Sequence, residues 1–321
     1  MVYETFLELV KNSLQDYLGA DFHLMLQSIQ KNNGLSIEGL CIRNGQEQAA
    51  PTIHLAPFYE AFQDGQPLPG ILENILSVYQ DSRLPNSLNL EEFSSFSESK
   101  DKIIYRLVNE TANQELLKDV PHISFHDLDL CLIFCLTIQK SEDFFLTSLI
   151  HVRQLKDWNL SEEELYQTAK TNTPRLFPAR IRPLPEIMKE MARNAAGEEM
   201  SGKELDEFFD CAPLSPPIYV LTNSAGTSGA ACMFYEGILK DFAACLDSDL
   251  IILPSSIHEV LILPYSSSIS MEELADTVFS VNLEEVPEED RLSNHIYFYS
   301  KASDKLTVSF TSSSPIGTMN P

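Results

Sequence analysis

A chain of 321 residues is long for one compact core and predicts two domains. Its 44% apolar and 21% charged content is that of an ordinary globular protein and excludes a disordered chain. With 47 acidic against 22 basic side chains the formal charge is −25, which disfavours nucleic acid or an anionic membrane as a direct partner.

The first residues, MVYETFLELV, carry Glu4 and Glu8 and no basic stretch, so they do not read as a signal peptide. Tyr3, Phe6, Leu7, Val10, Leu14, Tyr17 and Leu18 recur at helical spacing, with Gly19 as the stop. Three strand-like runs follow at 22–30, 35–42 and 50–55. Asn33-Gly34 joins the first two as a hairpin turn, because both residues tolerate positive φ. This predicts an antiparallel meander under the first helix. Helical patterns come next at 57–62 and 68–79, then a polar connection over 81–101.

Ile103–Val108 reads as a strand, Asn109–Leu117 as a short helix, and 128–138 and 144–150 as two further apolar strands around a polar turn. The run 128–138, with Asp129 inside it, is about half the length that spans a bilayer. Ser161 and Glu164 form a capping box that opens a helix over 162–170. A proline-rich stretch, Thr171–Pro185, holds the one basic cluster, Arg175, Arg180 and Arg182. A helix over 185–195 and a polar linker over 197–217 complete the middle of the chain. Beyond it the order is strand 218–222, helix 232–246, strands 249–253 and 258–263, helix 270–282 and strand 295–300. That is the β-α-β-β-α-β order of a split βαβ fold, with one more strand at 305–310.

The expected architecture is therefore α+β, an N-terminal antiparallel sheet with helices followed by a split-βαβ domain. The expected domains are 1–183 and 218–310, joined by a helix and linker over 184–217 and followed by a flexible tail over 311–321. The six cysteines include no CxxC pair, and several lie in apolar runs, the habit of reduced thiols; the expected compartment is the cytoplasm.

Four constellations carry chemistry. Ser255, Ser256, His258 and Glu259 hold the residue types of a nucleophile, base and orienter, although neighbours on one strand seldom converge. Glu259 shares a strand face with Ile257 and Leu261, so a buried carboxylate there needs a partner, and Arg175, Arg180 and Arg182 are the obvious donors. The loop Thr222-Asn223 to Gly229 lies between a strand and a helix, where backbone N–H groups can hold an anion, but it matches neither a P-loop nor GxGxxG. His122, His126 and Asp127 would ligate zinc from a helix, yet Pro121 and the β-like run beside them argue for extended chain. No cofactor is implied.

The pieces YETFLELVKNSLQDYLG, APTIHLAPFYEAFQDG, LYQTAKTNTPRLFP, YVLTNSAGTSGAACMFYEGIL and LPSSIHEVLILP make the chain similar to a domain-of-unknown-function family of anaerobic gut Firmicutes, often carried near mobile elements. The resemblance imports no activity. It implies that Asn172-Thr173-Pro174, Thr222-Asn223 and the run from Pro254 to Glu259 share one working surface. Three functions stand open. One is a non-enzymatic binding or accessory protein with an inter-domain groove for a protein or small-molecule partner, lined by Asn223, Ser255, His258 and the stretch 175–182. The others are a hydrolase or transferase using Ser255 or Ser256 with His258, and an acidic mimic of nucleic acid.

Overall fold

The computed structural model describes residues 1–45, 50, 52–81, 93, 95–140, 145–196 and 216–310. They divide into two compact units, Met1–Glu98 and Ser99–Pro321. Most of the expected linker, the tail over 311–321 and Cys211 lie outside the described residues. Among the described residues no helix is long and apolar enough to cross a membrane.

In the first unit, α1 (Tyr3–Leu18) precedes a meander of β1 (Phe22–Gln30), β2 (Ser36–Asn44) and β3 (Thr52–His54), antiparallel as predicted. Asn33 and Gly34 take φ of 61° and 73° at the turn, the backbone that Asn-Gly tolerates. Helices α2 (Ala56–Gln63) and α3 (Leu68–Asp81) follow. Phe6, Leu7, Val10 and Leu14 of α1 pack against Leu40, Ile42 and Ile53 of the sheet and Ile71, Ile75 and Tyr79 of α3. At roughly 1.5–3 kcal/mol for each large side chain fully buried, this stripe is what holds helix to sheet.

After α4 (Phe96–Ser99), which spans the boundary, the second unit contains a four-stranded sheet of β4 (Ile103–Asn109), β5 (His122–Ser124), β6 (Leu130–Lys140) and β7 (Phe145–Leu149). α5 (Gln114–Leu117) lies between β4 and β5, and α6 (Val152–Asp157) and α7 (Glu162–Leu176) follow β7. A six-stranded sheet is built from β8 (Ala179–Pro183), β9 (Tyr219–Asn223), β10 (Leu250–Leu253), β11 (Val260–Pro264), β12 (Ile296–Ser300) and β13 (Lys305–Phe310). The helices of this half are α8 (Leu184–Ala196), α9 (Ile238–Leu246) and α10 (Met271–Glu284).

The six strands lie in the order β13-β12-β10-β11-β9-β8, each antiparallel to its neighbours. Directions therefore alternate across the sheet. β9 and β10, joined through α9, run the same way with β11 between them. β11 and β12, joined through α10, run the same way around β10. Two interleaved split βαβ units result, and the predicted element order is the observed one. Ile251, Leu253, Leu263 and Ile296 bury one face of this sheet against Ala275 and Val278 of α10.

Two expectations are corrected. The boundary near residue 183 falls inside the second unit, because Ala179–Pro183 is itself a strand paired to β9 and not the end of an earlier domain. The helix expected to end at 170 runs on through Pro174 to Leu176. Its start is as predicted: Ser161 and Glu164 form the reciprocal capping box. Its extension has a tertiary cause. The outer edge of β4 presents backbone groups that a buried sheet must satisfy, and α7 supplies side chains to do it. Asn172 donates its amide to the carbonyls of Lys100 (2.6 Å) and Ile103 (3.1 Å), and the Thr173 hydroxyl accepts from the Tyr105 N–H at 3.1 Å. Arg175 in turn donates to Asn172 Oδ1 and to the Asp101 carbonyl. These bonds outweigh the one helical bond that Pro174 cannot make.

Replacing Asn172 with Ala leaves the buried Ile103 carbonyl and the partly buried Lys100 carbonyl short of a donor, so unfolding free energy should fall by about 2–3 kcal/mol. Replacing exposed Thr171 with Ala, one position away, should change it by less than about 0.5 kcal/mol. Urea denaturation of both variants checks the difference.

Candidate functional site

The expected triad stretch lies where the chain leaves β10 and reaches β11. Residues 254–258 run beside 290–293: Ile257 N–H donates to the Asp290 carbonyl, Leu292 N–H to Ser255 and Ser293 N–H to Pro254, with a bridge between Ser256 and Arg291. His258 Nδ1 stands 3.2 Å from the backbone N–H of Ser228, which can only donate, so Nδ1 accepts. Its Nε2 then carries the proton toward Asp290 Oδ1 at 3.1 Å. Both ring nitrogens are committed, and neither is left to take a proton from Ser255 or Ser256. The Ser256 hydroxyl instead accepts from the His258 N–H at 3.0 Å and hydrogen-bonds Glu259. Burial raises the Glu259 carboxyl above its ordinary 4.5, and the charge of Asp290 adds to this.

The Thr222–Gly229 loop is closed upon itself and upon the same strand. Thr222 donates its hydroxyl to the His258 carbonyl at 2.8 Å, and Gly229 N–H donates there too at 3.0 Å. Asn223, buried, accepts from Ala225 N–H through Oδ1 and donates through Nδ2 to the Thr227 carbonyl. A Cβ on Gly229 would stand 2.6 Å from both Asn223 N and His258 O, so only glycine lets the chain cross here. His258, Glu259 and this loop are one clasp holding a short helical turn, Gly229–Phe234, onto the sheet.

The basic residues diverge. Arg175 spends its guanidinium on Asp101 and Asn172, Arg180 is exposed, and Arg182 pairs with Glu190 of α8 at 2.7 Å. Asn172 and Arg175 thus belong to the β4 edge, and the arginines do not meet Glu259. His122 lies on β5 with Nδ1 at 3.1 Å from the Val120 carbonyl, and Asp127 pairs with Lys305 at 2.9 Å. His126 sits in the turn after β5, so the helical spacing that zinc ligation needed is not realised. Among the described residues no three His, Cys, Asp or Glu are placed to hold a metal.

A second polar cluster has no motif behind it. Asp129, at the mouth of β6, accepts hydrogen bonds from Asn109 (2.7 Å), Ser293 (2.9 Å) and the Tyr297 hydroxyl. His295 Nδ1 stands 3.3 Å away, at ion-pair rather than hydrogen-bond geometry. Burial pushes the Asp129 carboxyl up, but its contacts with His295, Tyr297 and Ser293 outweigh burial and hold it below its ordinary 3.8. The donors come from residues 109 to 297, so sequence spacing held no signal for this cluster.

A cleft of about 580 Å³ lies between α7 and the turn before α9. Gln167, Lys170, Thr171 and Pro174 form its helical wall; Glu236 and Ile238 face them. Tyr105 and Tyr235 lie at its base with ring centroids 6.1 Å apart, edge to face. These two rings also wall a void of about 10 Å³ against Asn223, Ser228 and Thr173. Tyr235 donates its hydroxyl to the Phe177 carbonyl at 3.1 Å. Tyr105 is 2% exposed and its hydroxyl has no hydrogen-bond partner. Lys170 Nζ meets Glu236 Oε2 at 3.2 Å. The cleft lies within the second unit, and of the residues expected to line a groove only Pro178 and Ala179, from the 175–182 stretch, line it; Asn223, Ser255, His258 and the arginines do not. Sequence reading missed Tyr105, Lys170 and Glu236 because each sits in an ordinary strand, helix or loop.

Fold and site together define an α+β protein with a sealed polar clasp and an aromatic-floored cleft. The chain belongs to the family of unknown function DUF5688, whose model matches residues 3–301. No curated protein and no solved structure matches it.

Gly229→Ala forces backbone atoms apart and should cost roughly 2–3 kcal/mol by thermal or urea unfolding. The two half-buried acids predict opposite pH behaviour. Asp129, depressed, stabilises the fold above pH 3.8, and that contribution is lost as pH falls through its lower folded value. The deficit of Asp129→Asn relative to wild type should therefore shrink below pH 4. Glu259, raised, favours the fold fully below pH 4.5, and this is lost as pH rises through its higher folded value. Glu259→Gln should gain on wild type between acid and neutral pH. Unfolding free energies measured across that range decide both.

Proposed function

We propose that this protein is a non-enzymatic binding protein whose ligand is a small carboxylate with a flat, apolar body, held in the cleft between α7 and the turn before α9. One observation carries the reading: a buried tyrosine hydroxyl without a partner, Tyr105, in the wall of a cleft of ligand size. A buried hydroxyl left unpaired costs about 1–3 kcal/mol, and a ligand acceptor recovers it. The volume, about 580 Å³, falls in the range of small-molecule sites.

The lining supports a particular chemistry. Tyr105, Tyr235, Pro174 and Ile238 offer flat apolar surface, on which a ring or a short branched chain packs. Lys170 is the one cation among the residues that line the cleft, and its partner Glu236 is 85% exposed. Such surface pairs contribute about 0–1 kcal/mol, so a ligand carboxylate displaces Glu236 from Lys170 at little cost.

The clasp supports the non-enzymatic part of the reading, because His258 has both ring nitrogens engaged and Ser256 bonds a carboxylate and a backbone N–H.

The test is a fluorescence-based thermal-shift screen of aromatic and branched-chain carboxylates against the full chain, followed by calorimetry. Tyr105→Phe should weaken the best binder about tenfold, Lys170→Ala by a similar factor, and Glu236→Gln should tighten it. A binder whose affinity is indifferent to all three changes places the site elsewhere.

A further inference from the structure

We infer that the outer edge of β1 pairs with β1 of a second copy of this chain, antiparallel about a two-fold axis at Leu26, joining two three-stranded sheets into one of six. A sheet edge is a row of unpaired backbone groups, and folded proteins guard it. The other edges here are guarded or short. β3 and β5 have three residues each and β7 has five. β4 is covered by Asn172 and Thr173, β8 holds Arg180 and Arg182 and ends in Pro183, and β13 begins with Lys305. β1 has nine residues, FHLMLQSIQ, with no Asp, Glu, Lys, Arg or Pro and no break in its register. It is the one long unguarded edge among the described residues.

Backbone geometry sets which groups face outward. Lys31 N–H donates to the Leu35 carbonyl, and bonding to β2 alternates along an antiparallel pair. The odd residues of β1 therefore point their N–H and C=O toward β2, and the even ones point them away. Phe22, at the start, spends its N–H on Gly19 and its carbonyl on Gln15. Leu24, Leu26 and Ser28 remain as outward donors and acceptors. A two-fold axis at Leu26 sets Leu26 opposite its copy and Leu24 opposite Ser28, giving about six main-chain hydrogen bonds.

The charge just outside the strand selects the partner and this register. The same axis places Asp21, exposed, opposite Lys31, exposed, of the other copy, twice over. In a chain of net charge −25 most other self-pairings bring acid against acid. Here the strand is uncharged and its flanks are complementary. Leu24 and Leu26, only partly buried in one copy, extend the apolar face already formed with Leu40 and Ile42.

Sedimentation velocity on the full chain at mid-micromolar concentration tests this, and a dimer is expected. Ser28→Pro removes one outward N–H from an exposed position and leaves the β2 pairing intact, so it should raise the dimer dissociation constant at least about tenfold with circular dichroism unchanged. Lys31→Glu should weaken the dimer roughly three- to tenfold, and Asp21→Lys combined with Lys31→Glu should return it to within about twofold of wild type. Lys11→Glu, the same change in net charge away from the strand, should leave it unaltered. A monomeric wild type, or a dimer that ignores Ser28→Pro, overturns the edge; failure of the double variant to restore pairing overturns the register.

Discussion

A carboxylate half-buried between two sheets must be met by donors, and Asp129 is that group. It sits at the mouth of β6 and takes hydrogen bonds from Asn109 on the neighbouring strand, from Ser293 just before β12 and from Tyr297 within it. Through Asn109 the same network reaches the Leu292 carbonyl, and Ser293 also anchors the His295 N–H. The four-stranded and six-stranded sheets of the second unit are thereby joined by directional contacts rather than by apolar packing alone. Such a network specifies one relative placement of the sheets, because sliding either by a residue strands a charge in a poorly solvated place.

Other polar side chains of this unit follow the same economy. Asn172, Thr173 and Arg175 close the edge of β4, and Thr222, Asn223, Gly229 and His258 fasten a helical turn to β9 and β11. Each group has the composition of a site and spends its bonding capacity on the fold. The residue types are the same in both roles because both require donors and acceptors at fixed positions. Satisfaction separates them: a side chain with all its valences used inside the protein has none to offer a ligand.

By that criterion the cleft beside α7 differs from its surroundings. Tyr105 keeps a buried hydroxyl uncommitted, and the ion pair above it, Lys170 to Glu236, is exposed and easily exchanged. The rigid parts serve it indirectly. The bonds of Asn172 and Thr173 that carry α7 past Pro174 also set the helical wall of the cleft, and the clasp at His258 fixes the turn, Gly229–Phe234, that leads into Tyr235. A cleft walled by elements this firmly held keeps its shape.

Local pattern determined much of this protein by itself. The apolar stripe of α1, the Asn33-Gly34 turn, the capping box at Ser161 and the strand-helix order from β9 to β12 were legible because each depends on residues within a few positions of one another. The sequence also marked Ser256, His258, Asn172 and Asn223 as unusual. Tertiary structure alone decided what they do, since His258 meets Asp290 and Ser228 from distant segments. It also decided that Ala179–Pro183 is a strand, since its own Arg180, Arg182 and Pro183, with Pro178 before it, read as loop until β9 supplies a partner. The Asp129 cluster and the cleft were invisible for the same reason. Their residues are brought together by sheet order, and neither spacing nor composition encodes which strand lies beside which.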